Sequence, residues 1–227
     1  EYILIRPDPQ VIWDTPKEDP AWRRAHGVYK RSKAGGGAWT NYGMPDNWTI
    51  GYRDLTFRLR PMGFKHTGLF PEQAQNWDLT SSLISARVKE GRPVSVLNLF
   101  AYSGGATAAA AKAGASVCHV DASKGMVQAA KENLRLSGLE EAPVRYIVDD
   151  CKKFVEREIR RVTLWGSAVN FALLVLKFVA GILGGSAAMI ADAVHSLSDF
   201  ITDIIVILFV HISGKPSDAG HDFGHGK

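Results

Sequence analysis

Two long, predominantly apolar stretches constrain this chain more than anything else in it. Val162–Leu183 runs for 22 residues with a single charge, Lys177, and Ala187–Val210 runs for 24 more. At 1.5 Å of rise per residue, each is long enough as a helix to cross a hydrocarbon core of about 30 Å. Only Gly184, Gly185 and Ser186 separate them, so they are expected to form a tight antiparallel hairpin spanning a membrane. Arg157, Arg160 and Arg161 precede the first stretch and Lys215 follows the second. Positive flanks mark the cytoplasmic side, so both ends of the hairpin are expected there.

The residues before this hairpin have a different character. Residues 162–227 carry three basic and five acidic side chains, a net of −2, which against the whole-chain +4 leaves +6 on residues 1–161. That excess suits a polyanion such as RNA and equally suits an ordinary solvated surface. Cys118 and Cys151 lie in apolar surroundings with no disulfide-like spacing, which points to a reducing compartment. The chain opens on Glu1 without a charged-then-apolar leader and stops at Lys227 inside what reads as a motif; both ends are expected to be cuts.

Three domains are expected. Residues 1–62 hold Trp13, Trp22, Trp39 and Trp48, a Gly35-Gly36-Gly37 run, and β-type patches at Tyr2–Ile5 and Leu55–Leu59, which together read as a small turn-rich β module. Residues 63–161 take on an α/β rhythm. Val94–Phe100 reads as a buried parallel strand and about Gly105–Ala113 as an Ala-rich helix. Val117–Val120 reads as a second strand, Lys124–Leu136 as a helix capped by Ser123, and Val144–Val148 as a third strand. This β-α-β-α-β order is half of a doubly wound sheet. Where a fourth unit is expected, a charged helix at Lys152–Arg161 leads into the apolar hairpin of residues 162–227.

Candidate ligand contacts cluster at the tips of these strands. Leu97–Gly105 places Gly104 and Gly105 where a buried strand turns into a helix, a position where the backbone approaches a ligand and helix amides are free. Asp121 ends the second strand 17 residues after Gly104, where a carboxylate can accept both hydroxyls of a ribose, and Asp149 and Asp150 end the third. Taken singly, each aspartate could equally be a helix cap or a solvated strand end.

In the hairpin, Asp192, His195, Asp199 and Asp203 recur at i, i+3, i+7 and i+11, one stripe of a helix. Ionisable groups at membrane depth are costly and usually face a polar pathway. His195 and Asp199, one turn apart, can clasp a divalent ion, while Lys177 either pairs with the stripe or snorkels to an interface. Asp218, His221 and His225 follow on a glycine-containing loop and make a second zinc-type cluster.

Residues 1–160 resemble class I S-adenosylmethionine-dependent methyltransferases, in particular the branch acting on ribosomal RNA. The resemblance rests on His66–Gln73, Trp77, Phe100–Gly105, His119–Lys124, Ala130–Asn133 and Asp149-Asp150. It implies an α/β fold with an incomplete Rossmann-like doubly wound sheet, S-adenosylmethionine as cofactor and RNA as partner. By the same likeness Phe100, Ala101, Tyr102, Ser103, Gly104 and Gly105 cradle the methionine end, Asp121 takes the ribose, and Asp149 or Asp150 takes the adenine. Glu72 and Gln73 close the site, and Phe70, Ala122 and Ser123 complete the contacts.

The family's fourth strand, ending in an Asp/Asn-Pro-Pro-Tyr-type acceptor motif, is missing, so turnover is expected to be lost and the first strand to be left as an open edge.

Residues 160–227 resemble the start of the cation diffusion facilitator family on Val162–Ser167, Ala191–Asp199 and His221–Lys227. That resemblance implies an all-α two-helix transmembrane hairpin in a cell membrane and a divalent metal, zinc or iron, as cargo. His195 and Asp199 supply half of a tetrahedral transport site, and Asp218, His221 and His225 an accessory site. A homodimer through the transporter segment counts among its partner arrangements. The chain is therefore expected to be a methyltransferase fragment fused to a transporter fragment, inactive as it stands; the alternative is a divalent-metal transporter with an unrelated N-terminal fusion.

Overall fold

A computed structural model describes residues 1–213 except 9, 15 and 34, with the backbone alone described at 199, 203, 207 and 210–213. It divides into two compact units, Glu1–Asp149 and a second beginning at Asp150.

In the first unit, β1 (Leu4–Ile5), β2 (Gly27–Arg31) and β3 (Gly37–Asn41) form one small sheet, and β4 (Trp48–Tyr52) and β5 (Leu55–Leu59) form an antiparallel hairpin. Helix α1 (Ala74–Lys89) follows, then β6 (Ser95–Leu99), α2 (Gly105–Lys112), β7 (Ser116–Asp121), α3 (Lys124–Leu136) and β8 (Val144–Val148). β6, β7 and β8 form a parallel sheet in that order. The expected alternation over 94–148 is therefore present, with strand bounds shifted by a residue or two. α1 was not among the expected elements.

Among the described residues β6 pairs with β7 alone, so one of its edges is open, as its place at the start of an incomplete sheet requires. Val96, Val117 and Val144 stand in register on one face. They pack with Ile84, Ala110 and Ala115 beneath α1 and α2. The other face carries Leu97, Cys118 and Arg145 in register, with Leu97 53% exposed.

β5 shows how local pattern and packing agree. Leu55, Phe57 and Leu59 are buried while Thr56 and Arg58 alternate outward, the period of a half-buried strand. Phe57 lies fully buried with Leu69, Trp77 and Leu134. The strand's remaining amides are taken by α3: Thr56 N–H donates to Ser137 Oγ at 3.0 Å and Arg58 N–H to Asn133 Oδ1 at 2.8 Å. Side chains thus do for β5 what a neighbouring strand otherwise would.

The second unit is two helices. α4 (Cys151–Leu183) is one continuous helix of 33 residues, capped by Asp150, whose Oδ1 accepts from Lys153 N–H at 3.0 Å. The charged segment 152–161 and the apolar segment 162–183 are thus one element, because no helix breaker lies between them. α4 is long and apolar enough to cross a membrane by length and composition.

At its end Ser186 N–H donates to Gly181 O at 3.0 Å and Gly185 takes a φ of 59°, a left-handed stop. Helix α5 (Ala187–Ser213) then runs back along α4. A Cβ at Gly181 would stand 2.9 Å from Ile190 Cγ1, so this glycine permits the close approach of the two helices. Leu174, Gly181 and Ala193 line the buried seam, whereas Trp165, Leu176, Ile182 and Phe209 are exposed.

Candidate functional sites

The loop between β6 and α2 is the most strained backbone in the first unit. Phe100 (φ 53°), Tyr102 (φ 50°) and Gly104 (φ 83°) alternate through positive φ, and among the described residues Arg53 alone shares that conformation without being glycine. Non-glycine residues persist there only when surrounding bonds hold them, and such strain gathers at ligand-binding loops.

The holding bonds are visible. Tyr102 N–H donates to Asp121 Oδ2 at 2.8 Å, and Ala101 N–H to Val120 O at 3.1 Å. Ser103 Oγ donates to Gly68 O, and Asn133 Nδ2 to Ser103 O at 2.8 Å.

Asp121 is the hub of this loop. Its second oxygen, Oδ1, accepts from Ser123 N–H at 2.8 Å, so the carboxylate ties the strand tip to both flanking loops. Each carboxylate oxygen can accept a further bond, and Asp121 is only half-buried, so capacity for a ribose diol remains. Beside it Phe100 is 76% exposed. Phe70 packs its ring 5.1 Å from Tyr102 and 5.0 Å from His66. Burial raises the Tyr102 phenol, reinforced by Asp121, and keeps it neutral. Burial, then Lys65 and Arg6, lowers the His66 imidazole. A cleft of about 530 Å³ lies between Arg6, Lys65, His66, Phe70 and Glu72.

The remaining expected contacts divide. Ser123 caps α3, its Oγ accepting from Met126 N–H at 3.4 Å, and Ala122 beside it is exposed. Asp149 N–H donates to Asp121 O at 3.1 Å, which sets this aspartate beside the hub. Gln73 Oε1 accepts from Asn76 at 2.8 Å, and Glu72 is exposed. Asp150 serves as the cap of α4 in the second unit. The glycine pair has a packing reason of its own: a Cβ on Gly104 would lie 2.8 Å from Ala130 Cβ, and one on Gly105 2.6 Å from Trp77.

Two residues of the site have roles that their spacing did not suggest. Asn133 joins β5 to the loop through Arg58 N–H and Ser103 O. The signal for it is a polar residue on the buried face of α3, beside Val127, Ala130 and Leu134. His119, fully buried under the loop, shares a hydrogen bond at Nδ1 with the Thr107 hydroxyl at 2.9 Å, which accepts another from Asn98 Nδ2 at 2.9 Å. Among the described residues its Nε2 has no hydrogen-bond partner. Burial holds this imidazole down at about 4, partly offset by Asp121.

In the second unit His195 is exposed on α5, and Asp199 lies one turn further along the same helix. Among the described residues no three His, Cys, Asp or Glu side chains gather into a metal cluster. Asp218, His221 and His225 lie outside the described residues. Lys177 bonds across to α5: its Nζ is 2.8 Å from Asp192 Oδ2 and donates to Ser196 Oγ at 2.8 Å. Of the two roles open to Lys177 in the sequence, pairing with the stripe is the one observed.

Known proteins match the two parts separately. A SAM-dependent methyltransferase from Agrobacterium tumefaciens superposes with a TM-score of 0.65 at 39% identity, over 71% of this chain and 51% of that one. A candidate methyltransferase solved with SAH shares the fold at 21% identity and a TM-score of 0.50, over 62% of this chain and 36% of that one.

The model of the cation efflux transmembrane domain matches residues 164–227. The magnetosome protein MamM of Paramagnetospirillum magneticum is 50% identical over 62 residues, 27% of this chain and 20% of that protein. The manganese efflux system protein MneP of Bacillus subtilis is 40% identical over 72 residues, 32% of this chain and 24% of that protein. The chain thus spans about half of the Agrobacterium methyltransferase and about a fifth to a quarter of MamM and MneP. It is a fusion of a methyltransferase-like α/β part with a part that matches the cation efflux transmembrane domain.

Proposed function

We propose that residues 63–161 bind S-adenosylmethionine without completing methyl transfer, and that residues 162–227 contribute two ligands to a divalent-cation site in a membrane. The observation that carries the first reading is the positive-φ loop Phe100–Gly104 tied to Asp121 at the strand tips. Asp121 would take the ribose hydroxyls and Asp149 the adenine, with Phe70, Tyr102 and Phe100 giving apolar cover. When bound, S-adenosylmethionine supplies a methyl group on a sulfonium sulfur. Transfer requires the acceptor to be held in line, a positioning contribution of about 7–11 kcal/mol in the best cases. Among the described residues, β8 is followed by α4 rather than by a further strand carrying acceptor-holding side chains.

The test is calorimetry with the full chain in detergent. Heat on adding S-adenosylmethionine, lost in Asp121→Ala, with no methyl group appearing in an RNA pool, supports the reading. Absence of heat, or methylated RNA, contradicts it. The +6 on residues 1–161 supports RNA as the polyanion offered.

The second reading is favoured by the family match over 164–227. His195 and Asp199 would hold zinc or iron within the membrane, with Asp218, His221 and His225 as an accessory site. The basic flanks Arg157, Arg160, Arg161 and Lys215 support a cytoplasmic side for both ends of the hairpin and for the α/β part. A homodimer through this segment would bring a second pair of ligands. Zinc protection of His195 from chemical modification in reconstituted vesicles is the check, and equal labelling with and without zinc removes the reading.

A further inference from the structure

α4 and α5 pair in a register that sets Phe171 by Phe200, with rings 5.4 Å apart, and Gly181 by Ile190. Lys177 lies between these points and reaches two groups of α5 at once. Its Nζ stands 2.8 Å from Asp192 Oδ2 and donates to Ser196 Oγ at 2.8 Å, while Ser196 Oγ donates back to Asp192 O at 3.2 Å. Asp192 and Ser196 flank His195 at i−3 and i+1. Lys177 is largely covered, and Ser196 is half-buried, whereas His195 is exposed. Two bonds on either side of one residue fix the rotation of α5 about its axis.

From this geometry we propose that Lys177 is a positioning residue for the cation site, engaging Asp192 as an internal counter-ion and so leaving His195 and Asp199 as the pair offered to a divalent cation. The inference rests on the cation-binding reading above. An ion bound by Asp192 would have to displace the ammonium and leave it unpaired in a poorly solvated seam, where an uncompensated charge is costly. The stripe of acids is therefore not uniform: Asp192 is already neutralised from the neighbouring helix.

The experiment uses the full chain in lipid nanodiscs, with His221 and His225 changed to Ala to silence the tail, and follows visible absorption on titrating Co²⁺ alone. Asp192→Asn is expected to leave Co²⁺ affinity within about twofold of the parent, since Asp192 is not a ligand. Lys177→Met frees a carboxylate beside His195 and is expected to tighten binding about tenfold, because ligand charge count sets affinity. The double variant Lys177→Met/Asp192→Asn should return to the parent value. If Lys177→Met loses helicity, the charge-swapped pair Lys177→Asp/Asp192→Lys decides, with parent-like affinity supporting the clamp and lost affinity overturning it. Weakening by Asp192→Asn as large as that by His195→Ala, or a folded Lys177→Met indistinguishable from the parent, overturns the proposal while the cation reading stands. Parent binding that does not depend on His195 overturns both.

Discussion

The α/β part and the helical hairpin solve opposite problems with the same side chains. In the first unit the large apolar groups, Phe57, Trp77 and Leu134, are inside, and what remains polar inside is hydrogen-bonded to hold a loop. In the hairpin the seam admits small and charged residues, Gly181, Ser196 and Lys177, beside Leu174, while Trp165, Leu176 and Phe209 are exposed. Burial of apolar surface stabilises the first arrangement in water. The second gains nothing from water and needs a medium as apolar as its own surface. The lesson is that a joined backbone does not imply a joined solvent: α4 crosses from one regime to the other without a break in its hydrogen bonding.

Breaking each part separately tests this contrast. Phe57→Ala removes a fully buried ring and should cost the α/β unit about 3–5 kcal/mol. Guanidinium unfolding followed by near-ultraviolet circular dichroism measures it, and the far-ultraviolet signal of the detergent-held hairpin should persist past that transition. A single transition for both parts would break the comparison.

The next effect is on pH. In the unfolded chain an imidazole takes a proton near pH 6.5, whereas His119 in the folded chain does so only at about 4. Between those values the unfolded state binds more protons, so α/β stability should fall as pH drops from 6.5 to 4, by about 3 kcal/mol. His119→Gln should flatten that part of the profile; an unchanged slope in the variant would move the acid sensitivity elsewhere.

Asn133→Ala comes third. It strands Arg58 N–H and Ser103 O, and should cost about 1–3 kcal/mol and loosen the Phe100–Gly105 loop. Hydrogen exchange should quicken at residues 100–105 while the hairpin is untouched. The smallest effect belongs to the surface. Breaking the exposed Arg53–Asp78 pair by Arg53→Ala should leave stability nearly unchanged in the same unfolding assay.

Much of the fold was legible because its signals are local. Glycines 114 and 138 punctuate an α/β rhythm between apolar strands, and β6, β7 and β8 fall within two residues of the expected strands, whereas β2, β3 and β4 were not individually expected. α1 escaped notice because its apolar residues are sparse and its packing on α2 is a long-range fact. The polarity change at Val162 is real yet marks no backbone boundary, since nothing there opposes helix continuation. At the candidate site, the place of Asp121 at the end of β7 was legible in the sequence. Asn133 and His119 could not be assigned roles from spacing, because their partners lie 30 and 12 residues away. Asp150 caps α4, a role that its strand-end position alone leaves open beside that of a ligand acid.

Sedimentation of the purified full chain with and without lipid tests the central claim most directly. Two solvents in one chain predict that the protein sediments as a defined particle in nanodiscs or detergent and aggregates when these are removed. A stable, detergent-free, folded monomer in plain buffer, with residues 162–210 protected, would contradict it.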